Sequence, residues 1–396
     1  MNDLLSYETL KGRLPSILEP ELARHRDAIG TRKTACAMQC AVGNAEHLVY
    51  SHALGTVDLE TDAPSPVTPT TPFDIASLTK PLVGATLAMQ AVDRGLVQWD
   101  TPLADFFAPW RERRDESARQ ITFLQILNHS SGLPAWHKYY LEHPLDPSLE
   151  AAAHTKAEVL QKILDTPLKG APGSVHDYSD IGFILLIHLL ETLFEAPLDH
   201  LARSQIFEPL ALSRTRYCRC EDPRGRIDDA VVTEDCPLRK RVVRGTVHDE
   251  NTNIIGGVST HAGVFSTAED LLTFGRHLLG IDRGLITDGI VHPDTLRFAW
   301  SEQAGSPAGH HLAGWDTPSG ELSSAGRGFA PSSTVGHLGF TGTSIWIERE
   351  QNVVSVLFTN RVYPSRENGR IKALRRNFQE AVLPPSLDPP PHQGTP

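Results

Sequence analysis

Length and composition describe a globular chain with room for more than one domain. The 396 residues can bury a large core, and 40% of them are apolar while 21% are charged. The formal charge of −11 argues against a nucleic-acid partner, and no stretch approaches the roughly 20 apolar residues that a membrane span needs.

The N-terminal part begins without the apolar region of a signal peptide, so we expect a cytoplasmic protein. Proline and glycine signals predict a helix over residues 21–29. Two strand-like runs on either side of Gly43-Asn44 predict a β-hairpin, which a loop over 67–72 follows.

The middle of the chain is predicted to be mainly helical. Apolar runs predict helices over 82–94, 121–128, 156–164 and 181–193. Charges, prolines and glycines predict an irregular segment over 216–253. The next helix has Ser266 as its predicted N-cap and Glu269 as the capping-box partner.

The C-terminal part returns to strands. Two strand-like runs meet at a turn near 349–352, and a last helix is predicted over 371–382. The predicted fold class is α+β, an α/β/α sandwich. In it the N-terminal hairpin and the C-terminal strands form one antiparallel sheet, the terminal helices cover that sheet, and an inserted helical lobe leaves a cleft beside it. The predicted segments are 1–80 and 286–383 for the α/β lobe, 81–285 for the helical lobe and its cleft loops, and 384–396 for a disordered proline-rich tail.

The stretch "FDIASLTKPLVGATLAMQ" contains the strongest chemical signal. Ser77 and Lys80 are three residues apart, so both lie on one helix face, and a lysine of lowered pKa can activate a serine nucleophile. Pro81 is tolerated only in a first helical turn, which places Ser77 at or just before the helix start. An ordinary helix cap with an exposed lysine is the alternative interpretation.

Three further segments extend this pattern. They are "HDYSDIGF" with Tyr178 and Asp180, "GHLGFTGTS" with His337, and the turn "LNHSSGLP". With Ser77-x-x-Lys80 they resemble the serine β-lactamase and penicillin-binding-protein superfamily, and most closely its class C-like branch of peptidases and esterases. The resemblance covers roughly residues 34–361 and implies the β-lactamase/transpeptidase-like fold.

The resemblance also implies roles for particular residues. Ser77 corresponds to the acylated nucleophile, Lys80 to its activating partner, and Tyr178 to the base or proton shuttle. The backbone N–H groups of Ser77 and Phe340 correspond to the oxyanion hole. The remaining predicted substrate-binding residues are Asp180, His337, Gly339 and Trp315, for the last of which a surface turn is the alternative.

Two departures from the family pattern bear on the substrate. Asp180 stands where an asparagine is usual, and it only accepts hydrogen bonds. Leu338 replaces a hydroxyl residue that helps to hold a substrate carboxylate. Both changes favour a neutral or cationic acyl substrate over a β-lactam that carries a carboxylate.

Other candidate clusters are weaker. Cys218, Cys220 and Cys236 lack the spacing of a standard zinc site, so no metal ligand is predicted. The run His248, Asp249 and Glu250 is predicted to be a structural loop at the cleft edge, with indirect substrate contact as the alternative.

The predicted function is therefore a serine hydrolase that acts through an acyl-enzyme on an ester or amide, of esterase, β-lactamase or D-amino-acid peptidase type. A small molecule or peptide is the expected partner, without nucleic acid or membrane, and no cofactor is called for. One alternative is a catalytically silent protein that binds cell-wall fragments or a protein partner. Another is a cytosolic enzyme that recycles cell-wall peptides.

Overall fold

The computed structural model describes residues 5–25, 33–112, 116–219 and 227–385. The strands are β1 (Ala37–Gly43), β2 (Leu48–Gly55), β3 (Phe73–Asp74), β4 (Arg216–Tyr217), β5 (Val232–Cys236), β6 (Arg241–Arg244), β7 (Val264–Ser266), β8 (Thr334–Gly339), β9 (Thr343–Glu348) and β10 (Val353–Thr359). The helices are α1 (Tyr7–Leu18), α2 (Thr86–Asp93), α3 (Ala108–Glu112), α4 (Glu116–Arg119), α5 (Phe123–Leu127), α6 (Leu149–Asp165), α7 (Asp180–Phe194), α8 (Leu198–Ala202), α9 (Glu250–Ile254), α10 (Ala268–Asp282), α11 (Pro293–Ala299) and α12 (Ile371–Val382).

Both ends of the chain contribute to a five-stranded antiparallel sheet. Its strand order is β2-β1-β10-β9-β8, so the N-terminal hairpin pairs with the C-terminal strands through β1 and β10. In that pairing Cys40 lies opposite Leu357, and along the edge pair His337 of β8 lies opposite Ile345. The predicted α+β class and the single sheet made from both ends are confirmed.

Helices cover both faces of this sheet. Because side chains alternate along a strand, Met38, Cys40 and Val42 face one side, where they pack with leucines of α1 and with Phe378 of α12. The opposite side packs against α10. Helix α10 therefore belongs with the sheet, although its residues fall inside the segment predicted as helical lobe.

The helical lobe is assembled around α7. This helix is apolar on nearly all sides, and α2, α5 and α6 pack against it. No single helix in the described ranges has the length and apolar character to cross a membrane, and the consecutive helices Asp180–Phe194 and Leu198–Phe207 meet that criterion only as a pair bent by 74°.

Four local predictions need correction. Of the helix predicted over 21–29, residues 22–25 are not helical, because Leu22 bridges Ala35, and residues 26–29 lie outside the described residues. The N-terminal helix is α1, whose first turn is capped by Ser6. The cap of α10 is Thr267, whose Oγ1 accepts from Asp270 N at 3.2 Å, since Ser266 is already committed to β7.

The capping box predicted for α10 between Ser266 and Glu269 does not form, because Glu269 accepts a hydrogen bond from Ser51 instead. The segment 216–253 holds β4, β5, β6 and the start of α9 in its described part, so it is less irregular than predicted. Most of the predicted tail, residues 386–396, and Cys220 lie outside the described residues.

Candidate active site

A tight turn places Ser77 between β3 and the buried helix that follows. Ser77 lies in the 3-10 turn Ala76–Leu78, and the chain continues as a π-helical segment over Lys80–Ala85 before α2. Ala76 has a φ of 47°, a left-handed conformation that is costly for a residue with a Cβ. The buried Asp74 holds this turn, because its Oδ1 accepts from Ala76 N at 2.8 Å. Ser77 therefore lies just before the helix start, as predicted.

Lys80 connects the serine to the helical lobe. Its Nζ donates to Ser77 Oγ at 3.1 Å and to Asp180 Oδ1 at 2.6 Å. The lysine side chain is fully buried, whereas that of Asp180 is 22% exposed. The alternative of an exposed lysine behind an ordinary cap is wrong, because the ammonium is enclosed and ion-paired.

Tyr178 completes this group. The Lys80 ammonium lies 4.6 Å from the centroid of its ring, and both Lys80 and Ser77 are close enough to lower the pKa of its phenol. Tyr178 and Asp180 are held two residues apart at the start of α7, where Ser179 caps the helix by accepting from Gly182 N at 3.0 Å. The three side chains that the sequence grouped by resemblance are thus in mutual contact.

The charges of this group differ from the sequence-based expectation. Burial would lower the pKa of Lys80, but the nearby Asp180 carboxylate and Tyr178 outweigh it and raise that pKa above its usual value. Burial also raises the pKa of Tyr178, against the opposing effect of Lys80. Lys80 is therefore a cation and Tyr178 a neutral phenol at neutral pH.

His337 faces the same group from β8. Burial and then the Lys80 charge lower its pKa to about 3, so the imidazole is neutral at neutral pH. Its Nδ1 lies 2.9 Å from Leu338 O, which fixes the proton on Nδ1. Its Nε2 is then an acceptor, and it has no partner among the described residues.

The end of β8 is in backbone contact with the nucleophile turn. A Cβ on Gly339 would come 2.5 Å from Ile75 O, so only glycine allows this approach. Thr343 Oγ1 donates to the same carbonyl oxygen at 3.0 Å, and Thr341 Oγ1 donates to Asp74 O at 2.7 Å. The contact places Phe340, the next residue after β8, beside Ser77 on the wall of one cavity.

This cavity, of about 740 Å³, is the cleft between the sheet and the helical lobe. Its lining includes most of the predicted site: Ser77, Tyr178, Asp180, His337, Gly339 and Phe340. The two exceptions are Trp315 and the buried Lys80. Trp315 is fully buried and packs against Phe274 and Trp300, so its prediction as a substrate contact is wrong. Its neighbour Asp316 lines the cavity instead.

The loop at 248–250 has structural partners and also reaches the cavity. His248 N donates to Asp74 Oδ2 at 2.7 Å, and Asp249 caps α9 by accepting from Thr252 N at 2.6 Å. Glu250 pairs with Arg366 at 2.6 Å. The loop therefore supports the nucleophile turn through Asp74.

Comparison with known protein families decides the relationship. The family described as Beta-lactamase matches residues 23–379, which is most of the chain. The chain belongs to the beta-lactamase family.

A curated protein and two solved structures are similar to this chain. The chain is 26% identical over 321 residues to an Escherichia coli (strain K12) protein named "Putative D-alanyl-D-alanine carboxypeptidase", covering 76% of this chain and 71% of that protein. Two solved structures share the fold. One is EstCE1, "a hydrolase with promiscuous acyltransferase activity", with a TM-score of 0.67 and 18% identity, covering 95% of this chain and 99% of the other. The other is the simvastatin synthase LovD from Aspergillus terreus, with a TM-score of 0.68 and 17% identity, covering 93% and 96%.

Membership in the beta-lactamase family and the named relatives together support a hydrolase of the serine type. The solved neighbours show the fold alone. They agree with the β-lactamase/transpeptidase-like architecture expected from the motif order.

His129 is a part of this beta-lactamase-family site that sequence reasoning missed. Its Nδ1 accepts from Ser179 N at 2.9 Å, and its ring lies 4.5 Å from that of Tyr178. Burial lowers the pKa of His129 well below its usual value, so the ring stays neutral. His129 positions the Tyr178 segment, and its place in "LNHSSGLP" was the available signal.

Proposed function

We propose that the chain is a serine hydrolase that forms an acyl-enzyme on Ser77 and removes a C-terminal D-amino acid from small peptides. The contact of Lys80 Nζ with both Ser77 Oγ and Asp180, beside Tyr178 in the wall of the cleft, carries this proposal. The carboxypeptidase name of the curated relative supports the substrate class.

The proposed acylation uses this chain's own groups. Ser77 Oγ attacks the substrate carbonyl carbon while its proton passes to Tyr178 or Lys80, whichever is deprotonated, and then to the leaving amine. The backbone N–H groups of Ser77 and Phe340 stabilise the oxyanion. Water then hydrolyses the ester on Ser77 and regenerates the free hydroxyl.

Proton transfer in this scheme requires one member of the Lys80–Tyr178 pair to be deprotonated. Both pKa values are raised, so the reactive form is a minor one at neutral pH. The expected pH profile therefore rises through the alkaline range.

Charges in the cleft favour a peptide with a free carboxylate. The sequence-based preference for a neutral or cationic substrate rested partly on Asp180, and the ion pair of Asp180 with Lys80 supports accepting a carboxylate as well. Lys372 also lines the cavity, is exposed, and has no side-chain partner in the described ranges. Its ammonium can receive the C-terminal carboxylate.

An esterase is the second candidate, and the cleft surface near Leu338 favours it. Leu338 provides no hydroxyl for a substrate carboxylate, and the exposed rings of Trp136 and Phe340 add apolar surface to the same cavity. Such a surface suits a short acyl chain.

The first test is intact-protein mass after incubation with penicillin, beside Ser77→Ala. An adduct on the wild type alone supports Ser77 as the nucleophile, and an adduct on both proteins contradicts it. Steady-state assays then compare N-acyl-D-Ala-D-Ala with nitrophenyl esters. Turnover of neither substrate class by the wild type would support the catalytically silent alternative.

Lys372→Ala tests the carboxylate assignment. We expect kcat/KM to fall for the peptide with a free C-terminus and to stay unchanged for its C-terminal amide. Lys11→Ala, an exposed lysine of α1 outside the cavity lining, is the matched control. Equal losses on acid and amide would contradict the assignment.

A further inference from the structure

A group of histidines on one wall of the cleft is not used by the proposed chemistry. His310 and His311 lie in the segment that ends at Asp316, and all three side chains line the cavity. One potential ligand atom from each of them lies within 4.8 Å of the others.

Both imidazoles approach the same carboxylate oxygen. His310 Nε2 lies 3.3 Å and His311 Nε2 3.9 Å from Asp316 Oδ1. That oxygen is buried and makes no hydrogen bond within the described part of the chain, so neither approach has the geometry of one. A buried carboxylate oxygen without a donor is costly unless a cation or proton satisfies it.

The backbone fixes this arrangement without any ion. His311 and Asp316 form a β-bridge with each other, and Asp316 N donates to Gly336 O at 2.8 Å, which ties the segment to the strand of His337. Thr317 Oγ1 donates to His310 O at 2.7 Å. The three side chains are therefore presented from a rigid base.

His176 orients one of the imidazoles. His176 Nε2 lies 2.9 Å from His311 Nδ1, and this contact leaves His311 Nε2 directed to Asp316. A Cβ on Gly309 would overlap the His176 ring, so the segment accepts this histidine only because it has glycine there. Zinc-binding histidines commonly hold their second ring nitrogen in this way.

Burial shifts the pKa values of all three side chains. Burial lowers the pKa values of His310 and His311, which keeps both rings in the neutral form that binds metals. Burial raises the pKa of Asp316 to about 7, as expected for a carboxylate that lacks a positive neighbour.

We propose that His310 Nε2, His311 Nε2 and an Asp316 carboxylate oxygen form a binding site for a single Zn²⁺ ion on the wall of the cleft. Two imidazoles and a carboxylate are a ligand set that suits zinc, and three protein ligands leave a fourth position for water or a ligand in the cavity. His310 is 43% exposed, which gives the ion a path from solvent.

A second cluster of potential metal ligands already has a cation partner within the protein. Glu234, Cys236 and Glu250 are also close together, but the Arg366 guanidinium binds both carboxylates at 2.6 Å. The described residues provide no such cation next to Asp316, whose near neighbours are the two neutral imidazoles.

Calorimetric titration of the full chain with ZnCl₂ tests the proposal, and it is run on Ser77→Ala so that the result is independent of hydrolysis. We expect one ion per chain, a loss of affinity of at least about tenfold in His310→Ala and Asp316→Asn, and about 10–100-fold in His176→Ala. His154→Ala is the matched control, because this exposed histidine also pairs with a carboxylate, that of Glu158.

Substitution with Co²⁺ provides a second readout. A bound ion should give the intense visible absorption of a tetrahedral Co²⁺ site, and His310→Ala should abolish it. The proposal is overturned if Zn²⁺ does not bind, or if His310→Ala and Asp316→Asn bind it as tightly as the parent while His154→Ala loses the ion.

Discussion

At the scale of single residues, Asp180 influences the charges of Lys80 and Tyr178 beside Ser77. It is the carboxylate closest to Lys80, and its negative charge raises the pKa values of both Lys80 and Tyr178. An asparagine at this position would leave burial as the largest influence on Lys80, and burial lowers the pKa of an amine. In the proposed mechanism, this residue, which departs from the family pattern, therefore sets the pH at which the base forms.

Asp180→Asn is expected to move the alkaline rise of kcat/KM to lower pH. Removal of the carboxylate lowers both pKa values, so the deprotonated form appears earlier as pH increases; kcat/KM reports these groups in the free enzyme. Glu191→Gln is the control. Glu191 lies on the same helix as Asp180 and forms a comparable ion pair with Lys156, at 2.6 Å and away from the cavity. An unchanged profile in Asp180→Asn would contradict this role.

Tyr178→Phe is expected to reduce kcat by about 10²–10⁴-fold, the usual contribution of a positioned acid or base. The ring would keep its packing against His129, so the thermal unfolding midpoint should change little. Burst kinetics with an activated ester locate the loss, which should fall on acylation. Tyr139→Phe, a buried tyrosine outside the cavity lining, should retain full activity. Loss of activity in both variants would point to a general effect of removing a hydroxyl.

At the scale of elements, the contact between β8 and the turn that holds Ser77 makes the proposed activity depend on strand geometry. Gly339→Ala would drive a methyl group into Ile75 O and Thr343 Oγ1. We expect a loss of about 1–3 kcal/mol in the free energy of unfolding, typical of overpacking, and a fall in kcat/KM as residues 339–340 move from Ser77. Urea denaturation and steady-state kinetics measure the two effects.

Gly12→Ala is the matched control for that experiment. Gly12 lies inside α1, and a methyl group added to it would meet nothing within 4 Å, so alanine should stabilise the helix by up to about 1 kcal/mol. The two substitutions should therefore have opposite signs. Gly339→Ala with wild-type stability and activity would show that β8 and the turn adapt independently.

The sequence predicted those elements whose signal is local. The hairpin at Gly43-Asn44 and the helix Ile371–Val382 follow from turn chemistry and apolar periodicity, and the structure confirms both. Helix α1 was missed because its cap at Ser6 lies near the chain start and Pro15 interrupts its pattern. The start of α10 at Thr267 was not predicted correctly, because it depends on where β7 ends. The end of β7 is set by its pairing with strands that are distant in sequence.

The residues of the candidate site also divide into those with a signal in the sequence and those without one. Ser77 and Lys80 are predictable from spacing, and Tyr178, Asp180 and His337 from motif order. Residues that support them from a distance carry no such signal: Asp74, His129 and Asp316 acquire their roles only when separate loops meet at the cleft. The prediction for Trp315 was wrong because neighbouring residues in a sequence can point in opposite directions. Trp315 is buried in the core, whereas Asp316 lines the cavity.

At the scale of the whole molecule, the site depends on a sheet that joins both ends of the chain. β1 and β10 pair directly, while β8 at the sheet edge carries His337 and Gly339 into the cleft. Helices α1 and α12 close the outer face over a shared apolar cluster. We therefore expect that loss of this outer packing destabilises the sheet on which the site depends.

Phe378→Ala tests this expectation. The ring is fully buried between α12 and the sheet, and its removal should cost about 3–5 kcal/mol in the free energy of unfolding. Urea titrations followed by tryptophan fluorescence and by residual hydrolysis should give coincident transitions at a lower midpoint, with unchanged kcat/KM in the absence of urea. Leu285→Ala is the control, because its side chain is 57% exposed. It should change the free energy of unfolding by no more than about 0.5 kcal/mol, so the urea midpoint should hardly move. If Phe378→Ala lost hydrolysis at a lower urea concentration than fluorescence, the outer face and the cleft would be separate folding units, and the sheet would not be the element that couples them.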